Sequence, residues 1–378
     1  MKIKGAVLEV MSAPRPYATS RPVSVRDVEL DEPAAHEVMV RIEAAGVCHS
    51  DLSVVNGVRP RPVPMLLGHE AAGIVERCGP SVASLAVGDR VVMTFLPRCE
   101  ECAACASGGL MPCSAGSAAN TEGRLLDGER RLHDGNGTIH HHLGVSGFAT
   151  FAVADYRSLV KVDHDVPAAV AALMGCAVLT GGGAVLNAGQ LKRGETLVVV
   201  GLGGVGMAAL LVGLAHDDVT VIGVDANVEK FDVARSLGAH QVMTPQQALD
   251  SGVRADLVVE AVGRSQAFET AVALTGVGGR TVVVGLPAPD DLATLSPTRL
   301  VAEGRRIIGS YLGNCVPSRD LTTFIAMWRD GRLPVERLIS ARVPLEKINE
   351  AFDALDRGEA LRQIIDPSLS GHEHQGTL

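Results

Sequence analysis

The sequence predicts an α/β protein with a β-rich domain and a doubly wound parallel sheet. Three observations carry that expectation. At 378 residues the chain is long enough for two cores. Its first ninety-odd residues read as short, proline- and glycine-punctuated strands, whereas from residue 194 strands alternate with helices. Glycine is frequent (42 residues) and aromatics make up only 3%, as suits parallel strands joined by tight turns.

The charge balance narrows the function. With 34 basic and 43 acidic residues the net charge is −9, and no Lys/Arg run stands out. Such a chain is a poor partner for nucleic acid or an anionic membrane. No run of 18 apolar residues is free of charges and glycine clusters, so no membrane span is expected. The start, MKIKGAVLEV, reads as a strand without a signal-peptide core, and a cytoplasmic location is expected. Five of the eight cysteines lie in a cluster or beside ligand-type residues, which in a reducing compartment favours metal binding over disulfides.

Residues 1–43 and 71–95 carry the β pattern, in KGAVLEV, HEVMVRIEAAGV, AAGIVERCG and GDRVVMTF. Between them, Cys48 and His69 lie about twenty residues apart, with Ser50, Asp51 and Glu70 beside them. That gap is too long for a local zinc knuckle. A metal held by both must be held by the fold, as in catalytic sites with three protein ligands and an open fourth position.

Cys99, Cys102, Cys105 and Cys113 follow with spacing C-x2-C-x2-C-x7-C. Four thiolates within fifteen residues can close a tetrahedron on one ion, the arrangement of a structural zinc site. A redox pair would leave two cysteines unexplained. Spacing alone does not separate zinc from iron–sulfur ligation, although the fourth cysteine is placed unlike the bacterial cluster motif. Residues 114–148 are polar and glycine-rich and contain His140, His141 and His142. Consecutive strand residues alternate faces, so at most one of the three is expected to face a cleft.

Residues 167–189 read as largely helical, with Cys176 in the middle of an apolar stretch. From 194, LVVVGLGGVG is a strand, a glycine turn and a helix start. Gly201, Gly203 and Gly206 fit G-x-G-x-x-G, with Gly204 within the same turn, and Asp225 ends the next strand nineteen residues later. In that full context the motif is a dinucleotide fingerprint. The glycines admit the pyrophosphate, the helix N-terminus faces it, and Asp225 suits ribose hydroxyls but repels a 2′-phosphate, favouring NAD over NADP. After about residue 312 the pattern is helical, and the tail DPSLSGHEHQGTL is expected to be disordered, with His372 and His374 not ligands. Cys78 and Cys315 are expected to be packing or surface thiols.

A dinucleotide turn and an open metal site in one chain suggest hydride transfer at a metal-polarised oxygen. Zinc suits two thiolates and an imidazole from Cys48, His69 and Cys176. At this point the chain resembles the zinc-dependent medium-chain alcohol dehydrogenases over nearly its whole length. The motifs are GVCHSD at 46–51, GHE at 68–70, the four-cysteine lobe at 99–113, IHHHLG at 139–144, GC-x3-TG at 175–181, GLGGVG at 201–206 and EKINEAF at 346–352.

The resemblance implies a GroES-like catalytic domain, residues 1–178 and 313–378 with a zinc lobe at 97–115, around a Rossmann NAD-binding domain at 179–312. It implies two zinc ions per chain, one structural and one catalytic, the latter on Cys48, His69 and Cys176 with Glu70 near enough to exchange onto it. Asp51 would orient His69, and Ser50 would pass the alcohol's proton towards ribose hydroxyls and solvent. His49 would contact the pyrophosphate, Thr180 and Val205 would back the nicotinamide, and Lys230 would reach the adenosine ribose. Arg362 would meet the phosphates, and Val262 and Leu286 would complete the cofactor contacts.

Family positions lining the substrate pocket are Ser50, Phe95, His142, Leu143, Leu286 and Leu312, mostly apolar. They imply a medium or large apolar primary alcohol, aromatic or allylic among them, and its aldehyde. Liver-type members end the proton relay on a histidine where this chain has Ser53. Glutathione-dependent formaldehyde dehydrogenases, the alternative, carry an acidic residue where this chain has Arg59. A nicotinoprotein that retains its NAD is a further alternative, and a non-enzymatic NAD(H) sensor would need no open metal position. The long segment between the cysteine lobe and IHHHLG resembles that of dimeric members and implies a homodimer, with a tetramer as the alternative.

Overall fold

A computed structural model describes residues 1–369; the predicted disorder of the tail from 370 on, with His372 and His374, falls outside the described residues. The chain forms two compact units, Met1–Cys176 with the C-terminal segment from Ile339, and Ala177–Leu338.

The first unit is built from β-strands, as their apolar, glycine-broken sequences predict. Lys2–Leu8, Val23–Leu30, Leu132–Asp134, Gly137–His141 and Met65–Leu66 close a small barrel. A seven-stranded sheet carries Glu37–Gly46 at its centre, paired antiparallel to Ala71–Cys78 and Phe151–Asp155 and, through Ala45 and Gly46, to Arg362–Ile365. Val38, Val40, Ala45, Val47, Leu52, Met93, Phe148 and Phe352 share its main core. This core fixes the ends of three elements that carry site residues: the helix His49–Val55, the turn after Met65–Leu66, and the helix starting at Ala168.

The second unit is a six-stranded parallel sheet ordered Gln241–Met243, Thr220–Val224, Thr196–Val200, Ala255–Glu260, Thr275–Val283, Arg306–Gly309. Its order reverses at Thr196–Val200, the first strand, which makes the crevice beyond the carboxyl ends the ligand position of a doubly wound sheet. Val198, Val200, Ile222, Val224 and Val258 are buried in one of its cores, and the near-continuous apolar strand sequences follow from cover on both faces.

One expectation is corrected. Residues 313–338, placed by sequence with the first domain, belong to the second unit, and the first boundary falls after Cys176 rather than 178. The reason is packing: a Cβ on Gly182 would touch Phe324 of the helix Pro317–Arg329 at 2.5 Å, and Leu333, Val335 and Leu338 are fully buried. Helical periodicity marks an element but not the core it joins. The helix Ala168–Ala188 is long and apolar enough to cross a membrane by length and composition only; it contains the glycine cluster at 181–183, and 94% of its apolar window is buried within the protein, as a core helix.

Candidate active site

Cys48 ends an extended segment and opens the helix His49–Val55. One turn in, Asp51 folds back, and its Oδ2 accepts the Cys48 backbone N–H at 3.2 Å. A carboxylate here satisfies a free N–H and meets the positive end of the helix. His69 comes from the turn after Met65–Leu66. Gly68 precedes it with φ +93°, and a Cβ there would lie 2.5 Å from the Phe148 backbone nitrogen, so only glycine lets the turn form. Cys176 lies where the helix from Ala168 widens into i→i+5 turns over Met174–Val178, a distortion frequent at functional sites. Gly175 brings this helix against strand Arg90–Met93: an added Cβ would lie 2.5 Å from the Met93 carbonyl oxygen.

The three ligand types, with Glu70, therefore converge in the first unit. One potential ligand atom from each of Cys48, His69, Glu70 and Cys176 lies within 4.8 Å of the others, and all four residues are buried. Cys176 Sγ is 3.5 Å from His69 Nε2. Behind the site, Asp51 Oδ1 sits 3.0 Å from His69 Nδ1 and takes the Gly68 N–H at 3.2 Å. The same oxygen is 3.2 Å from His142 Nδ1, although the angle there is too poor for a good hydrogen bond. Phe95 and His142 flank the His69 ring edge-on, at 5.7 Å and 5.5 Å between centroids.

The electrostatics suit a cation. A hydrogen bond from Cys176 holds the Cys48 thiol well below its ordinary range, with the Arg362 guanidinium and His69 adding to the effect. The same pairing pushes Cys176 up, so the two thiols share one proton. Burial pulls His69 down, but the Asp51 carboxylate more than offsets it and raises the imidazole well above its ordinary value. Burial pushes Glu70 up to about 7 against the pull of Arg362. Both Glu70 oxygens are buried without a hydrogen-bond partner, a costly state unless another group compensates it. Two cysteine sulfurs, an imidazole and an orphaned carboxylate around one point fit zinc by donor type.

The four-cysteine lobe is a second fit. Cys102 Sγ is 3.6 Å from Cys105 and 4.0 Å from Cys113, and Cys99 Sγ is 3.9 Å from Cys105. A zinc tetrahedron with bonds of about 2.3 Å has sulfur–sulfur edges of roughly 3.8 Å. Backbone N–H groups of Cys99 and Gly116 point at Cys113 Sγ, and that of Cys105 at Cys102 Sγ. N–H groups of Ser114 and Cys105 hold the Cys102 thiol down to about 5, while burial pushes Cys105 up to about 12. The helix Ser114–Glu122, which opens directly from Cys113, was not anticipated in the polar segment after the lobe.

Other expected residues fall as follows. His142 reaches Asp51; His141 is equally buried but takes the Arg131 N–H on Nε2 at 3.0 Å, and half-exposed His140 accepts from Arg130. One histidine of the three reaches the site, as the alternation of faces predicts. His49 is exposed and Ser50 half-buried on the same first turn. Ser53 donates to the His49 carbonyl at 2.7 Å, within its own helix. Phe95 and Leu143 are buried in the first unit and Leu312 in the second. Arg362 is buried on its strand, 3.4 Å from the Val47 carbonyl and with Nε 3.9 Å from Glu70 Oε1, so the charge it faces here is Glu70. Cys78 is half-buried and Cys315 buried, and both belong to packing.

In the second unit, Gly201 turns with φ +98° and Gly204 opens the helix Gly204–Leu214. A Cβ on Gly206 would lie 1.7 Å from the Gly201 carbonyl oxygen, so glycine alone permits this close helix–strand approach. Asp225, just past strand Thr220–Val224, accepts from Leu202 N at 2.6 Å and Asn227 N at 2.8 Å, and pairs with Lys230 Nζ at 3.2 Å. Thr180 is buried, Val205 half-buried, and Val262 and Leu286 are 45% and 52% exposed on the turns after two strands.

Comparison with known proteins agrees with both halves. Residues 34–164 match the model of the alcohol dehydrogenase GroES-like domain, and residues 204–329 that of the zinc-binding dehydrogenase. An alcohol dehydrogenase zinc-binding domain protein from Burkholderia ambifaria is 31% identical, with a TM-score of 0.89 over 97% of this chain and 99% of that one. Benzyl alcohol dehydrogenase from Acinetobacter calcoaceticus is 29% identical, with a TM-score of 0.88 over the same shares. Alcohol dehydrogenase TADH from Thermus sp. ATN1 is 25% identical, with a TM-score of 0.78 over 96% and 99%. With its metal-ligand sets and glycine turn in place, the chain belongs to the zinc-dependent medium-chain alcohol dehydrogenases.

Proposed function

We propose that the protein oxidises a primary alcohol with a bulky apolar body, aromatic or allylic among them, to the aldehyde in a reversible, NAD-linked reaction. The observation that carries this reading is the buried convergence of Cys48, His69, Glu70 and Cys176, with Asp51 placed behind His69. Zinc held by Cys48, His69 and Cys176 would lower the pKa of an alcohol hydroxyl, and NAD at the glycine turn would accept the hydride.

The chain's own residues do the rest. Asp51 accepts the His69 Nδ1 proton and so leaves Nε2 as the ligating nitrogen. Ser50 lies half-buried two residues beyond Cys48 and takes the alcohol's proton towards solvent. Ser53 does not extend that path, because its hydroxyl is committed to the His49 carbonyl. Phe95 and Leu143 are buried and exclude water from the face they cover. Asp225, with Lys230 on one oxygen, favours ribose hydroxyls over a 2′-phosphate. Kinship with a benzyl alcohol dehydrogenase at 29% identity supports the aromatic preference, and Arg59 argues against glutathione adducts. The segment between the cysteine lobe and the histidine run supports a homodimer.

The test is a panel of aliphatic, benzylic and allylic alcohols and S-hydroxymethylglutathione assayed with NAD and NADP, with zinc counted on the same preparation. Two zinc per chain and fastest NAD reduction with bulky primary alcohols are expected. A preference for S-hydroxymethylglutathione would overturn the substrate, and faster turnover with NADP would overturn the cofactor. Sedimentation of the same sample as a tetramer would overturn the dimer.

A further inference from the structure

Three glycine-containing turns meet beyond the carboxyl ends of neighbouring strands in the second unit. They follow Thr196–Val200, Ala255–Glu260 and Thr275–Val283. Glu260, the last residue of the middle strand, is 1% exposed and follows the apolar run Leu257, Val258 and Val259. Its Oε1 accepts the N–H groups of Val262 and Gly263, both at 2.8 Å. Its carbonyl oxygen takes the backbone N–H groups of Val284 and Gly285 at 3.0 and 3.1 Å.

The contacts between turns leave no slack. A Cβ on Gly285 would lie 2.2 Å from Gly263 N and 2.6 Å from Glu260 Oε2. A Cβ on Gly263 would lie 2.7 Å from Leu286 N. A Cβ on Gly201 would lie 2.6 Å from a Val262 methyl. The tips of the two tied turns, Val262 and Leu286, are the most exposed apolar side chains there. A buried carboxylate in an apolar sheet is costly and persists only where several donors hold it.

We infer that Glu260 is a positioning residue for the dinucleotide: its carboxylate holds the turn bearing Val262, its carbonyl holds the neighbouring turn bearing Leu286, and the two turns packed beside Gly201 set the floor of the crevice. This rests on the dinucleotide reading given above. Glu260 does not touch the cofactor; it acts through the backbone of the two turns. Glu260→Ala removes the acceptor of the Val262 and Gly263 N–H groups and leaves the backbone carbonyl's bonds to Val284 and Gly285 in place. Gly285→Ala leaves Glu260 intact and forces the turns apart.

The experiment is titration of each purified full-length variant with NADH, followed by fluorescence and repeated with NADPH. KM values for NAD and for benzyl alcohol, and zinc content, are measured on the same samples. Both substitutions are expected to weaken NADH binding and raise KM for NAD about tenfold, the ratio that losing one buried hydrogen bond produces. KM for the alcohol and zinc content should hold. Dinucleotide affinity unchanged in both variants, with only the melting temperature lowered, would overturn the positioning role. Failure of the unaltered protein to bind either dinucleotide would overturn the dinucleotide reading itself, and the role with it.

Discussion

Asp51 Oδ1 stands 3.0 Å from His69 Nδ1, and both side chains are almost wholly buried. The contact fixes which imidazole nitrogen remains for a metal. Asp51→Asn keeps the shape but loses the charge that holds the proton on Nδ1. Removing such a partner weakens metal binding by about 10- to 100-fold. Competition with a chelator of known affinity, alongside kcat, should show both fall; unchanged metal affinity would refute the orienting role.

The cysteine lobe should behave independently. Cys113→Ala removes a sulfur that is fully buried and holds two backbone N–H groups. One of two zinc ions per chain should be lost, while the zinc at Cys48 stays. The melting temperature should drop by roughly 2–4 °C for each kcal/mol lost. Metal analysis combined with a thermal melt checks this, and retention of both ions would contradict it.

Burial pushes His141 from 6.5 down to about 3, with the nearby Arg131 and Arg130 adding to it. The folded protein therefore keeps this ring neutral, whereas the unfolded chain binds a proton below 6.5. The stability it supports is complete above that pH and drains away as the pH falls towards 3. Between pH 7 and pH 5 the loss comes to about 2 kcal/mol. Urea denaturation at both pH values should show a shallower dependence for His141→Gln; equal slopes would disprove the assignment.

Asp225 faces Lys230 and the turn amide of Leu202. Asp225→Ser removes the negative charge that the proposed function sets against the cofactor ribose. KM for NAD should rise about tenfold, the scale of a charged hydrogen bond. Measurable turnover with NADP should appear. Steady-state kinetics with both cofactors decides the matter, and unaltered selectivity would exclude Asp225 as the determinant.

Local spacing was enough wherever the chemistry is local. The four cysteines close their cluster within fifteen residues, and the glycine turn needs only the strand before it and the helix after it. Cys48, His69 and Cys176 could be named as ligands by type and motif, because few other buried roles suit that set. Tertiary structure alone decided what packs behind them. His142 meets Asp51 from 91 residues away, and Arg362 faces Glu70 from a strand near the chain's end. The domain boundary at Leu338 was set by which core Phe324 and its neighbours fill, not by helical pattern. Glu260 did leave a trace, an acid closing a mostly apolar strand, but the bonds from Val284 and Gly285 to its carbonyl, and the packing of Gly285 on Gly263, exist only once two turns are folded side by side. The sequence determined the residue types and the short-range geometry of both metal sets and the dinucleotide turn. Long-range packing decided which buried charges face each other, because that depends on contacts no local pattern encodes.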